Sequence, residues 1–514
     1  MSLLRKLWKK TSPDSAPAPG RAGSQSEAAE PRLSASLAHN LQRIKDKVQH
    51  ASDLIVRELQ VRGVSGSHTA AAVLYIDGLA DKDIVHQCVM LPLLRCEAGP
   101  GLLLNQIEQQ MITASGVKQQ VLLKDIVASL LYSSTIVLIE GESAALIVTS
   151  EGWEHRIVSS PNAEPLVRGP QDAFNEVLRT NTALLRRKIK DEQLVLAPFK
   201  IGSRTVTDGI VIYLQDTANP RIVEEVKRRL AEVQTEGILD SGQLQEYLED
   251  CPTSPFPQIS STERSDKAAA AILEGKVVVL IDGTPFALFM PVTFPEFLVS
   301  TEDYYGKFLA ATMLRLVRAL SLMLALLMPS IYIAVSTYHQ EMLPTQLMIA
   351  IAANRSGLPF PAFFEALIME VSLELLREAS LRIPGSMGQT IGIVGALVIG
   401  QAAVQANIVG PVLTIIVSIT AIGTFVIPNY NASVSIRLLR YPIMIFAAVL
   451  GIFGIVFCTS LILMHMIHLR SFGVSYLAPI TPQTMKIMDD SILFKKPNPL
   501  LRFRQSFLGS RSRR

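Results

Sequence analysis

The sequence predicts an α/β soluble N-terminal region of two similar subdomains, followed by an α-helical integral membrane domain. Three observations lead there. Residues 1–310 hold most of the charge, whereas residues 319–464 carry long apolar runs. Ile383 to Ile436 is a stretch of 54 residues without Asp, Glu, Lys, Arg or His. One span of a membrane takes about 20 apolar residues, so this stretch holds two. Within the charged half, β-branched runs alternate with charged helical stretches and recur at near-equal offsets.

Composition narrows the function. The chain has 514 residues and a formal net charge of +3, with the positive residues gathered at particular ends. No basic run with interleaved aromatics occurs in the soluble half, which argues against nucleic acid as a partner. Cys88, Cys96, Cys251 and Cys458 form no CxxC pair and suit reduced thiols in a cytosolic compartment. No P-loop, HExxH, GxSxG or strand-linked GxGxxG is present, so neither an enzyme nor a cofactor or metal site is expected. His465 and His468 form an HxxH without a third ligand and read as interfacial residues.

In chain order, residues 1–45 read as a disordered basic tail, because their apolar start is broken by Lys9 and Lys10 and a Ser/Pro/Ala/Gly tract follows. Residues 41–60 have helical spacing with no strong stop before Gly63. Residues 46–170 are expected to form a first cytosolic α/β subdomain and residues 171–300 a second. The repeats support this pairing. Val73–Asp77 answers Val211–Gln215 at an offset of 138, and Val137–Gly141 answers Val279–Gly283 at 142. The acid–glycine pairs Glu140-Gly141 and Asp282-Gly283 are hairpin turn signals. Between the copies, Thr180 or Asn181 is a candidate helix cap.

Residues 301–470 form the expected transmembrane helical domain. Ala319–Tyr338 is a first span, with Lys307, Arg315 and Arg318 before it, which places the soluble half in the cytosol. Leu343–Ala353 is apolar but short, as in a re-entrant or interfacial piece. Phe360–Arg382 reads as an amphipathic helix. Its Glu370, Glu374, Arg377 and Glu378 share a face, either at the interface or as an acidic vestibule (Glu370, Glu374, Glu378) to a cation path. Asn407-Ile408-Val409-Gly410-Pro411 breaks the long uncharged stretch into two helices. On the first of them, Val394, Val398, Gln401 and Gln405 fall on one stripe opposite Gly392, Ala396, Ala403 and Ala406. Small residues suit close helix packing, while amides avoid lipid. The stripe therefore either bonds a neighbouring helix or lines a pore. Tyr441–Met464 is expected as a further span, which with four spans places Arg437 and Arg440 outside. Residues 471–514 are a basic cytosolic tail, with eight basic and two acidic residues from Lys486 onward.

Several long stretches resemble one family. SPFPQISSTERSDKAAAAILEGKVVVLIDGTPFALFMPVTFPEF (254–297), LRTNTALLRRKI (178–189), GQTIGIVGALVIGQAAV (388–404) and RLLRYP (437–442) are similar to segments of the A subunits of GerA-type nutrient germinant receptors of bacterial endospores. The resemblance covers residues 50–490 and departs from the family pattern at Arg168–Phe174. It implies an integral protein of the spore inner membrane with its large N-terminal region cytosolic. It implies as partners a transporter-like B subunit and a lipoprotein C subunit. It further implies a homo-oligomeric ring, such as a pentamer, forming a nutrient-gated ion channel that triggers germination. A non-conducting scaffold or signal-relay subunit is the alternative.

Overall fold

The computed structural model describes residues 32–49, 51–63, 68–95, 97–98, 104, 107–108, 112, 114, 116–150, 152, 161, 163–382, 400–480 and 495. The soluble half contains two antiparallel-based sheets. The first has the order β3-β1-β2-β5-β6-β4, built from β1 (Leu54–Gly63), β2 (His68–Ile76), β3 (Glu97–Ala98), β4 (Val117–Gln120), β5 (Ser134–Ile139) and β6 (Ala145–Thr149). The second has the order β7-β8-β10-β11-β9, built from β7 (Leu194–Ile201), β8 (Thr207–Leu214), β9 (Ser260–Thr262), β10 (Val277–Ile281) and β11 (Ala287–Met290). Apart from the extra edge strand β3, the two orders superimpose strand for strand.

The duplication reaches individual hydrogen bonds. Helix α1 (Leu37–Lys47) and the helix before β5, α2 (Leu123–Leu131), correspond to α3 (Leu178–Lys188) and α6 (Ser265–Glu274) of the second copy. Between these last two lie α4 (Pro220–Glu232) and α5 (Ser241–Leu248). Asn40 is buried and bonds the backbone N–H and carbonyl of Ser34; Asn181 does the same to Asn175. Glu140 accepts from the Leu37 N–H at 2.7 Å, and Asp282 accepts from the Leu178 N–H at 3.0 Å. The acid–glycine turns expected from the sequence therefore have a second task, since each acid also satisfies an N–H at the start of a helix that has no partner within that helix. Gly141 and Gly283 both take positive φ in these hairpins.

Several expectations change. Helix does not run through residues 41–60: α1 ends at Lys47, Gln49 adopts φ 56°, and Leu54–Gly63 is a strand paired with β2. Charged residues alternate with apolar ones there, and the long partner strand outweighs a helical spacing. The boundary at residue 45 falls inside α1, whose Leu37, Leu41 and Ile44 are buried against the first sheet. Asn181 is not a cap, because α3 starts at Leu178; its amide instead pins the preceding loop.

Two contacts fix the subdomains to each other. Arg186 of α3 donates to Asp53 (Nε–Oδ2 2.9 Å, Nη2–Oδ1 3.2 Å), and both side chains are only 1% exposed. Gly78, with φ 86°, lets α3 approach closely: a Cβ there would lie 3.2 Å from the Ala183 methyl. Arg186→Ala strands a buried carboxylate and is expected to cost about 3–5 kcal/mol, whereas Arg186→Met with Asp53→Leu is expected to be near neutral. Urea-unfolding midpoints of the purified chain check this.

The helical half begins at the short α7 (Glu302–Tyr305) and contains α8 (Phe308–Thr337), α9 (Thr345–Arg355), α10 (Ala362–Arg382), α11 (Pro411–Phe425), α12 (Tyr430–Leu450) and α13 (Ile452–His468). Residues 400–405 are also helical. Among the described residues, α8 and α12 are long and apolar enough to cross a membrane, and α11 and α13 are shorter apolar helices. Tyr441–Met464 is not one span. Gly451, at φ 62°, breaks it, and α12 and α13 form an antiparallel pair. Gly454 makes that turn close: a Cβ there would lie 2.0 Å from the Phe446 carbonyl oxygen.

The turn at Gly451 sits beside His339, and the Tyr338 hydroxyl donates to the Ala448 and Val449 carbonyls, so the end of α8 meets the far end of the hairpin. Asn429, before α12, and His465, near the end of α13, both bond the second subdomain. The chain thus leaves the bundle at the end where it entered. Arg437 and Arg440 lie in the first three turns of α12, on the soluble-region end and not on the far side. Nor does the tail start at 471. Strands β12 (Arg470–Ser471) and β13 (Val474–Ser475) form a hairpin, and Tyr476, Leu477 and Ala478 are buried.

Candidate functional site

Three places join the chain into one mechanical unit. The first is the loop between α5 and β9, residues 249–259. Gln258, fully buried, closes it by accepting from the Cys251 N–H at 2.9 Å and donating to the Cys251 carbonyl at 2.7 Å. The closed loop turns its carbonyls and Ser254 toward the bundle. Pro255 O accepts from Ser435 Oγ, Pro257 O from Tyr476 Oη at 2.9 Å, and Gln258 O from Ser471 Oγ at 2.7 Å. Ser254 Oγ lies 2.9 Å from His465 Nε2. Phe256 packs among Phe294, His465 and Tyr476 with ring centroids 6.1–6.2 Å apart. Apolar burial continues across the junction: the core around α3 and α6 also holds Leu322, Ala325, Ile436 and Met466. The second subdomain and the bundle share one core. Burial and the negative charge of Glu249 and Glu296 push the Tyr476 phenol well above its ordinary range.

The second place is the entry into α8. Asp303 is buried and accepts from Arg318 Nη1 (2.7 and 2.9 Å) and Arg315 Nε (3.2 Å), both arginines lying on α8. Lys495 reaches the same point, bonding the Asp303 carbonyl with its ammonium and the Thr312 hydroxyl with its N–H. Next to it, Tyr305 Oη donates to Asp266 at 2.5 Å, and Arg264 Nη2 donates to Asp266 at 2.9 Å and to the Pro170 carbonyl at 2.8 Å. The loop that departs from the family pattern, Arg168–Phe174, is held through the Pro170 carbonyl, through Asp172, which accepts from Lys188 at 3.2 Å, and through the buried Phe174. Burial and Asp266 raise the Tyr305 phenol above its ordinary value. At the base of this region Lys276 is buried, yet Glu296 (2.6 Å) and Glu274 (3.4 Å) overrule desolvation and hold its ammonium above the usual lysine range.

The third place is inside the bundle. Glu370 of α10 accepts from Arg440 Nη1 at 2.5 Å, and Arg440 Nε donates to the Ala325 carbonyl of α8 at 2.8 Å. One turn on, Glu374 accepts from Arg437 (2.8 Å) and from Arg377 (3.0 Å), and Arg377 also reaches Thr424 of α11 at 3.3 Å. Glu378 pairs with Arg382 at 2.6 Å. The acidic face expected at Glu370, Glu374 and Glu378 is therefore a series of arginine ion pairs tying α8, α10, α11 and α12 together. Glu370 is buried, Glu374 half-exposed and Glu378 exposed.

Of the expected pore-lining residues, Gln401 and Gln405 are both exposed on the single chain, in the company of Ala402, Ala406 and Asn407. Val394 and Val398 lie outside the described residues. The break expected after this helix is present: Asn407 takes φ 50° and α11 starts at Pro411. Sequence reading missed the partners of Asp53, Asp303 and Glu365. Asp53 and Glu365 stand as single acids beside apolar residues, whereas Asp303 follows Glu302, and nothing in the sequence says which partner each would meet. Among the described residues no group of His, Cys, Asp and Glu is arranged to hold a metal.

Residues 42–507 match the model of the Bacillus/Clostridium GerA spore germination protein family. The chain belongs to this family. It is 39% identical over 466 residues to spore germination protein KA of Bacillus subtilis (strain 168), covering 90% of this chain and 85% of that protein. It is 36% identical over 480 residues to spore germination protein GerLA of Bacillus cereus, covering 93% and 97%. A crystal structure of the N-terminal domain of the A subunit of the Bacillus megaterium spore germinant receptor GerK3 matches 51% of this chain and 98% of that domain, at 31% identity and a TM-score of 0.42. Its place among GerA proteins gives the chain a role in spore germination. Three of the four stretches that carried the resemblance coincide with the joints: 254–297 opens on the loop facing the bundle, 178–189 is the α3 clamp with Arg186, and 437–442 holds both bundle arginines.

Proposed function

We propose that this GerA-family chain is the A subunit of a nutrient germinant receptor of the spore inner membrane, and that copies of it assemble into a nutrient-gated ion channel. The observation that supports this most is the exposure of Gln401 and Gln405 on a bundle that also exposes large apolar side chains such as Ile415, Ile422, Phe453 and Val456. Lipid-facing amides are disfavoured, so this face calls for water or a second copy. In a ring the Val394–Gln405 stripe would line the path, with Val398 at the constriction; apolar rings gate by dewetting. Glu374 and Glu378 are then the acids left for a vestibule, since Glu370 is buried. The B and C subunits are the partners, and the soluble region and the basic tail share the cytosolic side. The alternative, a non-conducting scaffold or relay, is favoured by the polar loop joint at residues 249–259, which transmits movement without needing a path.

Ion efflux from liposomes holding the purified chain separates the two. Flux is expected for the wild type. Val398→Ala is expected to leak and, in spores, to germinate without nutrient. Gln401→Leu is expected to lower conductance, and Ile399→Val to do little. A reduced membrane level of Val398→Ala without leak is the result expected if the stripe only packs. Absence of flux from every form, with all proteins present at normal level, favours the scaffold.

A further inference from the structure

Glu365 lies in the first turn of α10 and is fully buried, N-terminal on that helix to Glu370 and Glu374, the acids tied to Arg440 and Arg437. Its carboxylate has two partners. Oε2 accepts from the Gly410 backbone N–H at 3.2 Å, and Oε1 lies 3.6 Å from Arg355 Nη2 of α9 without a hydrogen bond of its own. Gly410 precedes α11 and closes the Asn407–Gly410 turn. Among the described residues the rest of that turn is bonded to the helix before it: Asn407 N–H donates to Val404 O, and the N–H groups of Ile408 and Val409 donate to Ala403 O. The side-chain hydrogen bond that fastens this turn to another element therefore comes from Glu365. A carboxylate is well suited to the task, because it meets the unsatisfied N–H groups and positive end of a 15-residue helix. Burying such a group is costly, and that cost is tolerated where the group is bonded and has a role.

We infer that Glu365 is a positioning residue for the glutamine helix: through Gly410 it sets the depth and rotation at which Gln401 and Gln405 are presented. Arg355 sets how firmly it does so. Helix α9, which is exposed along nearly its whole length with Ile351 its one buried residue, thereby gains a direct link to the end of that helix. Movement of α9 reaches the amide face through two side chains. The functional part of this inference rests on the proposed path; the positioning itself does not.

The test uses the full chain in membranes, carrying Gln401→Cys or Gln405→Cys with the native cysteines replaced. It reads the rate of modification by a water-soluble methanethiosulfonate reagent, beside ion efflux from liposomes. Glu365→Gln keeps an acceptor for the Gly410 N–H and is expected to preserve the wild-type rates. Glu365→Leu removes it and is expected to change the rate at one of the two positions by about fivefold or more, the scale of one lost charge-assisted bond. Gly410→Pro deletes the donor at a φ of −71° that proline accepts, and is expected to reproduce the Leu result; Gly410→Ala keeps the N–H and is the control. Unchanged rates in Gly410→Pro overturn the inference, even where Glu365→Leu fails to accumulate. Changed rates without efflux in any form leave Glu365 as the positioning residue and remove the path.

Discussion

Arg440→Ala is expected to unfold the helical half at a markedly lower temperature, with a loss of about 3–5 kcal/mol, the cost of stranding one member of a buried ion pair. Two partners are lost together. Glu370 is left without its arginine in a site that is 5% exposed, and the Ala325 carbonyl inside α8 loses its donor. Pro329, one turn further along α8, has no N–H to give to the Ala325 carbonyl, so Arg440 supplies the donor that this carbonyl lacks within its own helix. Arg440→Lys keeps the charge but not the planar fork that reaches both acceptors, and is expected to fall between. Arg440→Met with Glu370→Leu is expected to recover most of the loss, because the pair's desolvation cost disappears with it. Thermal unfolding in detergent, followed by size-exclusion of the surviving protein, reads all four forms. An Arg440→Ala protein as stable as the wild type would mean the pair is open to water.

Asp303→Ala is expected to have an effect of similar size, about 3–5 kcal/mol, and a different location. Here one carboxylate serves two buried arginines on α8 and the Ser300 N–H. Its removal leaves like charges within one turn of each other, at the point where the soluble region hands over to the bundle. The expected signature is local: Lys307, between α7 and α8, becomes rapidly cleavable by trypsin while the soluble half stays folded. Asp303→Asn keeps acceptors without the charge and is expected to slow cleavage relative to Asp303→Ala. Equal cleavage rates in the wild type and Asp303→Ala would show that Arg315 and Arg318 do not need this acid.

Much of the architecture was legible because it depends on local patterns. The two copies showed as offsets of 138 and 142 residues, and the strand order repeats accordingly. The break at Asn407–Pro411 showed as Asn, Gly and Pro between apolar runs, and the chain does reverse there. Gly451 was harder to read. It stands inside an apolar run with no proline after it, and a lone glycine in a membrane helix is common. The positive φ of Gly451 and the close approach of Gly454 to the Phe446 carbonyl reveal that the chain doubles back. The start of β1 was hidden for a related reason: LQRIKDKVQHASDLIVRELQ is helical in spacing throughout, and its second half becomes a strand because β2 is there to pair with it.

The sequence by itself determined that this protein has a duplicated α/β half, an apolar helical half, and an amide stripe on a helix with no charge. These follow from periodicity and composition, which act over a few residues at a time. Tertiary structure alone decided how the charges are spent. Asp53 with Arg186, Asp303 with Arg315 and Arg318, Glu370 with Arg440 and Glu365 with Gly410 join residues 12 to 133 positions apart. A charge in the chain specifies that it must be solvated or paired; burial removes water as an option, and the fold then selects the partner. Glu370, Glu374 and Glu378 read as an acidic face when α10 is taken alone. Once α12 and α9 lie against it, Glu370 and Glu374 meet Arg440 and Arg437 of α12 and Glu365 lies beside Arg355 of α9, whereas Glu378 pairs with Arg382 of α10 itself and stays exposed, as do Gln401 and Gln405.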